Sequence, residues 1–389
     1  MKILTFTGEK FSKNIDGYLS KQTSVAFVQK VFGEAQVEVV GAIYKDSNSE
    51  NYSSCVNSSS FYEITGYDST KDFLWRSLIK RGFLKQYIEQ INKLLIGKKY
   101  DFVWIRTPSI GSVIFGLCAL KNELKVINHI CANAGKTWKD PKYSFLEKGF
   151  GFCASILIKY LLSRICRHKN TINFTTGSEL QFFSEKYAKN NTYQMVDMMI
   201  SEQYIGKSKA ISVNGKIRKI LFIGRIVRDK GVFDLVDTVH NDSRFSLTII
   251  GGGADFEELS DYIATKKSSN IELTGQLPHT ELHKFLNETD LICVPSNNFY
   301  EGFPRVIMEA WAYEKPVVVS NVGGISAFVR NAENGLVISP GNQIELRKAL
   351  VKTLDENIYK LLKEGAADMK KYSIVDYWTK FIRRTLNVS

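Results

Sequence analysis

The second half of the chain alternates short β-rich segments with helical patterns, and this alternation constrains the fold more than any other feature. The six β-rich segments are residues 219–223, 246–250, 271–273, 291–294, 316–319 and 335–338. Strands separated by helices form a parallel sheet that is covered by helices on both faces. The pattern therefore predicts a doubly wound α/β domain, in which ligands bind beyond the carboxyl ends of the strands.

The first half of the chain shows the same alternation less regularly. Strands are predicted at 2–7, 37–43, 102–105 and 126–130, helices at 18–32 and 73–96, and a loop over the Ser/Asn-rich stretch 44–70. Together the two halves predict two domains. The first covers residues 1–205 and is completed by a closing helix at 372–389, and the second covers residues 206–371.

Composition places the chain among globular proteins, and its charge is unevenly distributed. Of its 389 residues, 44% are hydrophobic and 24% are charged, which excludes a disordered, a collagen-like or a multi-span membrane chain. Residues 1–210 hold 29 basic and 18 acidic residues, whereas residues 211–389 hold 23 and 22. The first half thus carries a charge of +11 and the second +1. This asymmetry predicts that the first domain faces an anionic surface or acceptor.

Cysteine usage and the N-terminal segment predict a cytoplasmic protein. The six cysteines are scattered without a CxxC pair, and residues 1–13 contain too short an apolar stretch for a signal peptide. The apolar segment 150–166 is interrupted by Lys159 and Arg164, so it is not expected to span a bilayer. Two interpretations of 150–169 stay open: a core helix with a polar stripe, or an interfacial helix that contacts anionic lipid at the cytoplasmic membrane face.

The first candidate motif, FIGRIVRDKG over 222–231, places two cations directly after a predicted strand. Arg225 follows the strand and Lys230 precedes a helix that begins near Gly231, so both charges can converge beside helix N–H groups. This arrangement suits a diphosphate. Taken alone, such cations are more often solvated loop charges.

The second candidate motif, NNFYEGFPRVIMEAW over 297–311, follows the strand at 291–294 and contains two carboxylates, Glu301 and Glu309. Pro304 fits the first turn of a helix, where a missing N–H costs nothing. Glu301 then lies in the loop before that helix, and Glu309 lies within it, where a carboxylate can accept hydrogen bonds from a ribose diol. Taken alone, a pair of glutamates at this spacing does not indicate a binding site. The alternative is that Glu309 is an ordinary residue on the surface of a helix.

The order of the motifs over residues 219–342 resembles a known family. FIGRIVRDKG, IIGGGADFEEL, LTGQLPHTEL, the segment with two glutamates, KPVVVSNVGG and ENGLVI follow one another as they do in the retaining nucleotide-sugar glycosyltransferases of the GT-B fold, family 4, surface-polysaccharide type. The resemblance implies α/β architecture of the GT-B class, with two Rossmann-like, doubly wound parallel-sheet domains that face each other across a cleft. The first domain would bind the acceptor and the second the nucleotide-sugar donor.

The resemblance also implies roles for individual residues of the second domain. Arg225 and Lys230 match the pair that binds the diphosphate, Glu309 matches the carboxylate that holds the donor ribose, and Glu301 matches the one that lies against the donor sugar. The loop that grips sugar and phosphates is matched by Gly302, Phe303, Arg305 and Val306, and the positions that contact the base are matched by Gln276 and Leu277.

In the first domain the resemblance is carried by few positions. Gly17 matches the loop residue that lets the backbone approach the transferred group, although the family's usual pair of glycines is reduced here to Asp16-Gly17. His129 matches a histidine near the reaction centre, and a core histidine bonded to a backbone carbonyl is an equal alternative. Pro304 and Glu314 stand where many members have glycine.

The expected function follows from the resemblance: retaining transfer of a hexose or N-acetylhexosamine from a UDP- or GDP-sugar to a growing, lipid-linked surface glycan of lipopolysaccharide or capsule. The chain has no DxD triplet to hold a manganese ion, so no metal and no other cofactor is expected. Two alternatives stay open. One is a sugar-nucleotide epimerase or glycogen-type transferase on the same fold, and the other is a non-catalytic lipid- or nucleic-acid-binding protein. Because no nucleic-acid motif is recognised, nucleic acid is not an expected partner.

Overall fold

The chain divides into two structural units. The structure, a computed structural model, describes all residues except 16, 45–51, 53, 98, 140–142, 201–216, 299–301 and 389. The N-terminal unit comprises Met1–Asp197 and Thr379–Ser389, and the C-terminal unit comprises Met198–Trp378. The predicted domain boundaries, after residues 205 and 371, differ from these by a few residues.

The N-terminal unit is built on a ten-stranded mixed sheet. Its strands are β1 (Ile3–Phe6), β2 (Lys10–Asn14), β3 (Gly17–Ser20), β4 (Val37–Ile43), β5 (Ser54–Val56), β6 (Phe61–Glu63), β7 (Phe102–Thr107), β8 (Val126–Ile130), β9 (Thr171–Thr175) and β10 (Thr192–Gln194). Its helices are α1 (Ser24–Phe32), α2 (Thr70–Ile79), α3 (Phe83–Leu95), α4 (Ile110–Lys121), α5 (Phe145–Cys166) and α6 (Ser178–Ala188). The strand order is β10-β9-β8-β7-β1-β4-β2-β3-β5, and β6 pairs with β4.

Most of this sheet is parallel, as predicted, but one end is not. β3 pairs antiparallel with both β2 and β5. The predicted helix at 18–32 is therefore wrong at its start: Tyr18 lies in β3 and stacks on Phe61 with ring centroids 3.8 Å apart, and α1 begins only at Ser24. The predicted loop at 44–70 is also wrong where β5 and β6 form, because strands of three residues are too short to show a period.

Helix α5 packs one face into the core of this unit. Ile158 and Ile165 belong to the main hydrophobic cluster, and Leu162 is buried with Cys166 in a smaller one. Among the described residues, α5 is the one helix that is long and apolar enough, by length and composition, to cross a membrane, and 39% of its most apolar 18-residue window is buried in the protein. Burial of this extent is expected for a helix that packs one face into a core and exposes the other.

The C-terminal unit is a doubly wound parallel sheet, as predicted. Its strands are β11 (Arg218–Ile223), β12 (Phe245–Ile250), β13 (Ile271–Gly275), β14 (Leu291–Val294), β15 (Val317–Ser320) and β16 (Gly335–Ile338). Its helices are α7 (Val232–Val239), α8 (Phe256–Thr265), α9 (His279–Glu288), α10 (Arg305–Ala312), α11 (Gln343–Lys352) and α12 (Glu356–Asp368). The boundary at Trp378 falls within the last helix, α13 (Val375–Thr385), most of which belongs to the N-terminal unit. Every strand pair is parallel, in the order β13-β12-β11-β14-β15-β16. Apolar residues such as Leu247, Ile292 and Val317 are fully buried between the helical layers.

Candidate functional site

The strand order of the C-terminal unit places a crevice between β11 and β14. These strands are neighbours in the sheet, yet β11 connects to β12 on one side and β14 connects to β15 on the other. In open parallel sheets, ligands bind where the order reverses in this way, beyond the carboxyl ends of the strands. Residues 224–231 follow β11, and the described residues 295–298 and 302–304 lie between β14 and α10, so both candidate motifs extend from this point.

The two loops are packed against each other through their backbones. The amide of Asn297 donates a hydrogen bond to the carbonyl oxygen of Asp229 at 2.7 Å. A Cβ at Gly231 would lie 2.0 Å from the carbonyl oxygen of Pro295. The start of α7, directly after Gly231, is therefore held beside the segment that leads towards α10.

Arg225 and Lys230 both lie on the first of these loops. The Arg225 side chain is exposed and that of Lys230 is half-buried. A short 3₁₀ turn over Arg228–Lys230 precedes α7, which begins at Val232 as predicted. Two cations beside the N-terminus of a helix form an arrangement that can bind a diphosphate through charge and backbone N–H groups.

The loop after β12 packs against the loop after β11. Gly251 has φ +148°, and a Cβ there would lie 1.8 Å from the carbonyl oxygen of Gly224. The amide of Ile226 donates to the carbonyl oxygen of Gly252 at 2.9 Å. Asp255, the residue before α8, makes no side-chain cap to that helix and accepts a hydrogen bond from the Arg228 amide at 2.8 Å. The glycines after β12 thus position the loop that carries Arg225.

The start of α10 is anchored by an aromatic side chain and by the loop after β15. Phe303 is buried, and its ring centroid lies 5.1 Å from that of Phe328 in an edge contact. The carbonyl oxygen of Gly302 accepts a hydrogen bond from the Gly324 amide at 2.6 Å. Arg305 is exposed and Val306 half-buried in the first turn of α10. The first-turn N–H groups of a helix have no partners inside it.

Glu309, the carboxylate expected to hold the ribose, is half-buried in α10 one turn after its start. Its charge lies close enough to Tyr313 to act on that hydroxyl: burial and the Glu309 carboxylate together raise the pKa of Tyr313 to about 12. Glu301 lies outside the described residues, so its contact with the donor sugar stays a prediction.

Gln276 and Leu277 directly follow β13, the outermost strand on this side of the sheet. Gln276 is exposed and Leu277 half-buried. β13 is two strands away from β11, which corresponds to about 10 Å across the sheet. A nucleoside diphosphate can extend over that distance from the loop of Arg225 to Gln276. The structure thus brings the predicted residues of the C-terminal unit, other than Glu301, to the loops and the helix start at one sheet edge.

The two predicted residues of the N-terminal unit are both buried. Gly17 has φ +141°, and a Cβ there would lie 2.3 Å from the carbonyl oxygen of Val56, so strand pairing alone accounts for this glycine. His129 is 1% exposed and lies in β8. Its Nε2 is 3.0 Å from the Thr176 hydroxyl, which itself donates to the carbonyl oxygen of Met195 at 3.0 Å. The shared hydrogen bond therefore places a proton on Nε2, and a catalytic role for His129 stays a prediction.

A buried charge cluster in the N-terminal unit was not predicted. Glu9 is 2% exposed, and its Oε1 accepts a hydrogen bond from the Val25 amide at 2.9 Å. Burial raises the pKa of Glu9, and the Val25 hydrogen bond opposes the rise. Arg106, at the end of β7, lies 3.9 Å from the buried Asp197 carboxylate. Nothing in the sequence distinguishes these side chains from other charged residues near a strand, because they are far apart in the chain.

Comparison with known families and proteins agrees with the resemblance. Residues 206–374 match the family described as glycosyl transferases group 1. An uncharacterized glycosyltransferase of Methanocaldococcus jannaschii is 30% identical over 211 residues, which cover 54% of this chain and 58% of the relative. The capsular polysaccharide biosynthesis glycosyltransferase CapM of Staphylococcus aureus is 28% identical over 242 residues, which cover 59% of this chain and 58% of CapM. The chain thus matches a little under three fifths of the length of these relatives.

Similarity to solved structures extends over both units. Anabaena HepE, solved in complex with UDP, superposes with a TM-score of 0.68 at 13% sequence identity, over 100% of each chain. At that identity the likeness shows the fold alone. The fold is the GT-B fold that the motif order implied.

Proposed function

We propose, from the premise that residues 206–374 belong to the glycosyl transferases group 1 family, that this chain is a retaining glycosyltransferase. It moves a hexose or N-acetylhexosamine from a UDP- or GDP-sugar to a growing, lipid-linked surface glycan. One observation carries the proposal: two segments are in contact where the strand order reverses. One is the loop after β11, which holds Arg225 and Lys230, and the other leads from β14 to α10, which holds Glu309. CapM, named for capsular polysaccharide biosynthesis, and the UDP complex of HepE support the choice of acceptor and donor classes.

In this proposal each element at the sheet edge contacts one part of the donor. Arg225, Lys230 and the first turn of α7 bind the diphosphate, Glu309 accepts hydrogen bonds from the ribose hydroxyls, and Gln276 with Leu277 contacts the base. The backbone of Gly302 and the first turn of α10 face the sugar and its phosphates. The anchoring of Phe303 in the core holds that backbone rigid, which favours a productive donor geometry.

The proposed reaction needs stabilisation of a developing charge on the leaving group. The bond between the anomeric carbon and the β-phosphate oxygen breaks, and the acceptor oxygen bonds to the same face of that carbon. The acceptor proton passes to an oxygen of the departing diphosphate, so no separate base is required. Arg225 and Lys230 offset the negative charge that builds up on the diphosphate, and such preorganised groups supply a large share of catalysis.

Metal independence follows from these roles and is tested with a chelator. We expect UDP or GDP to raise the melting temperature of the chain, and we expect transfer from the matching nucleotide sugar to proceed at an unchanged rate in excess EDTA. The rate is measured as release of the nucleoside diphosphate with a glycan acceptor present. A rate that falls about tenfold or more in EDTA and returns with Mn²⁺ would contradict charge stabilisation by Arg225 and Lys230 alone.

Contact with an anionic membrane is proposed for the outer face of α5. Phe145 and Leu146, at the start of the helix, are 90% and 82% exposed, and residues 136–169 hold eight basic and two acidic residues. Apolar side chains beside basic ones suit the interface of a bilayer with anionic lipids.

We therefore expect the double variant Phe145→Ser, Leu146→Ser to bind phosphatidylglycerol vesicles at least about tenfold more weakly than the unchanged chain. Co-sedimentation measures the bound fraction. Ile344→Ser, which removes an apolar side chain that is 70% exposed in the C-terminal unit, is the control and should leave binding unchanged. Equal binding by all three chains would exclude this end of α5 as the contact surface.

A further inference from the structure

A buried tyrosine lies one helical turn beyond Glu309. Tyr313 is fully buried and directly follows the last residue of α10. Side chains four residues apart on a helix are neighbours on one face, so the Tyr313 ring lies beside the Glu309 carboxylate. Burial and the Glu309 carboxylate raise the pKa of Tyr313 to about 12. The hydroxyl therefore keeps its proton at neutral pH and can donate it.

The Tyr313 hydroxyl also has a partner on another helix. The Nδ1 atom of His283, a half-buried residue of α9, is hydrogen-bonded to this hydroxyl, and the two ring centroids are 5.9 Å apart. A phenol oxygen donates one hydrogen and accepts others. When Nδ1 of His283 carries the hydrogen, Tyr313 accepts it and its own proton remains for the neighbouring carboxylate.

Packing fixes the end of α10 that carries Tyr313. Trp311 is fully buried, and its indole N–H donates a hydrogen bond to the carbonyl oxygen of Asn334 at 3.2 Å. Glu314 pairs with Lys370 at 2.8 Å. The Tyr313 hydroxyl thus has a defined position, whereas a half-buried glutamate has several rotatable bonds and loses entropy when it is held in one orientation. A fixed donor beside Glu309 can impose that orientation before a ligand binds.

We infer that Tyr313, held by His283, is a positioning residue for Glu309 and makes the site specific for ribose over 2′-deoxyribose. One oxygen of Glu309 accepts the Tyr313 proton, and this orients the carboxylate so that it can accept hydrogen bonds from the ribose diol. The inference rests on the proposed function, in which Glu309 binds the ribose of the donor. It adds two side chains, on α9 and at the end of α10, to the residues that determine which nucleotide is accepted.

The inference is tested by removing one hydroxyl. Tyr313→Phe removes the oxygen that lies between His283 and Glu309 and keeps the ring. Tyr359→Phe is the matched control, because Tyr359 is also buried in the C-terminal unit and its hydroxyl donates to the carbonyl oxygen of Asp290 at 3.0 Å. Asp290 directly precedes β14, at the sheet edge opposite the candidate site. Both variants therefore lose a buried hydrogen bond, but only one loses it beside Glu309.

The probes are UDP and 2′-deoxy-UDP, or GDP and 2′-deoxy-GDP if GDP raises the melting temperature more. Titration calorimetry should show that the unchanged protein binds the ribose form at least about tenfold more tightly than the deoxy form. Tyr313→Phe should bind the ribose form at least about fivefold more weakly and the deoxy form within about twofold of the unchanged protein. Tyr359→Phe should keep the ratio of the two affinities within about twofold. If Tyr313→Phe does not fold, His283→Leu replaces it and should lower the ratio at least about threefold.

Two results would overturn the inference. One is a ratio that Tyr313→Phe leaves unchanged, including an equal loss of affinity for both nucleotides, which a purely structural role would give. The other is equal binding of the ribose and deoxy forms by the unchanged protein. In both cases the nucleotide still binds, so the transferase proposal stands without this role for Tyr313. If the unchanged protein binds none of the four nucleotides, the transferase proposal fails, and the inference fails with it.

Discussion

Replacing Lys230 with alanine is expected to lower kcat/KM for the nucleotide sugar at least about a hundredfold, because one charged contact to the leaving diphosphate is worth a few kcal/mol in the transition state. Lys230 is half-buried on the loop that follows β11, beside the start of α7. The measurement is the initial rate of nucleoside diphosphate release at several donor concentrations. Arg225→Ala is also expected to lower kcat/KM, since both side chains lie on the same loop.

Lys219→Ala is the matched control for this loss. Lys219 lies in β11 at the amino end of the strand, and its side chain is exposed, whereas Lys230 lies on the loop after the carboxyl end of that strand. The control removes the same charge at the opposite sheet edge, so its kcat/KM should stay within about twofold of the unchanged protein. Equal losses for Lys219→Ala and Lys230→Ala would mean that general charge, rather than a diphosphate site, governs the rate.

Gly251→Ala is expected to lower the free energy of unfolding of the C-terminal unit by about 3 kcal/mol or more. The new Cβ would lie 1.8 Å from the carbonyl oxygen of Gly224, and φ is +148°, so a side chain meets both a steric clash and backbone strain. Urea denaturation, followed by circular dichroism, measures the loss. Because Gly224 precedes Arg225, the same change should also displace the loop that carries the cations.

Gly252→Ala provides the comparison within the same loop. A Cβ at Gly252 would lie 3.5 Å from the side-chain oxygen of Gln276, which is an ordinary van der Waals contact. The unfolding free energy of this variant should therefore stay within about 1 kcal/mol of the unchanged protein. If both alanines are tolerated equally, the backbone contact between the loops after β11 and β12 does not hold the site.

The sheet of the C-terminal unit was predictable from the sequence because most of its strands are apolar runs that alternate with helical patterns. Leu291–Val294 and Gly335–Ile338, for example, form strands with the bounds that the sequence predicted. Strands buried on both faces appear as continuous apolar runs, which a sequence reveals directly. The reversal of strand order between β11 and β14 then follows from the doubly wound pattern.

Strand β3 of the N-terminal unit, which pairs antiparallel with β2 and β5, was not predictable from the sequence, for a physical reason. Tyr18 and Leu19 fit an apolar helical period that continues into α1, yet pairing with Cys55 and Val56 makes them a strand. The partner strand, β5, lies inside the stretch 44–70, which is rich in serine and asparagine and shows no period. Such long-range pairing depends on tertiary contacts that a local pattern does not contain.

The candidate site also contains residues that the local sequence predicts and residues whose surroundings depend on contacts between distant parts of the chain. The places of Arg225 and Lys230 on the loop after β11 and of Glu309 in α10 were predictable, because each stands at a recognisable offset from a strand or helix end. Their roles in donor binding stay predictions. The place of Glu9 was not predictable, since its burial arises from packing against the amide of Val25 at the start of α1.

The path of the chain between the two units has a consequence for how such proteins can be recombined. The C-terminal unit is one continuous segment, Met198–Trp378, whereas the N-terminal unit needs the last residues of the chain as well. Phe381 contributes to that unit by packing against Phe174 and Tyr193, with ring centroids 6.3 Å apart in each pair. The C-terminal unit could therefore be exchanged between homologues by two crossovers that leave the tail in place, while a chimera with a single crossover would give the N-terminal unit a foreign final helix.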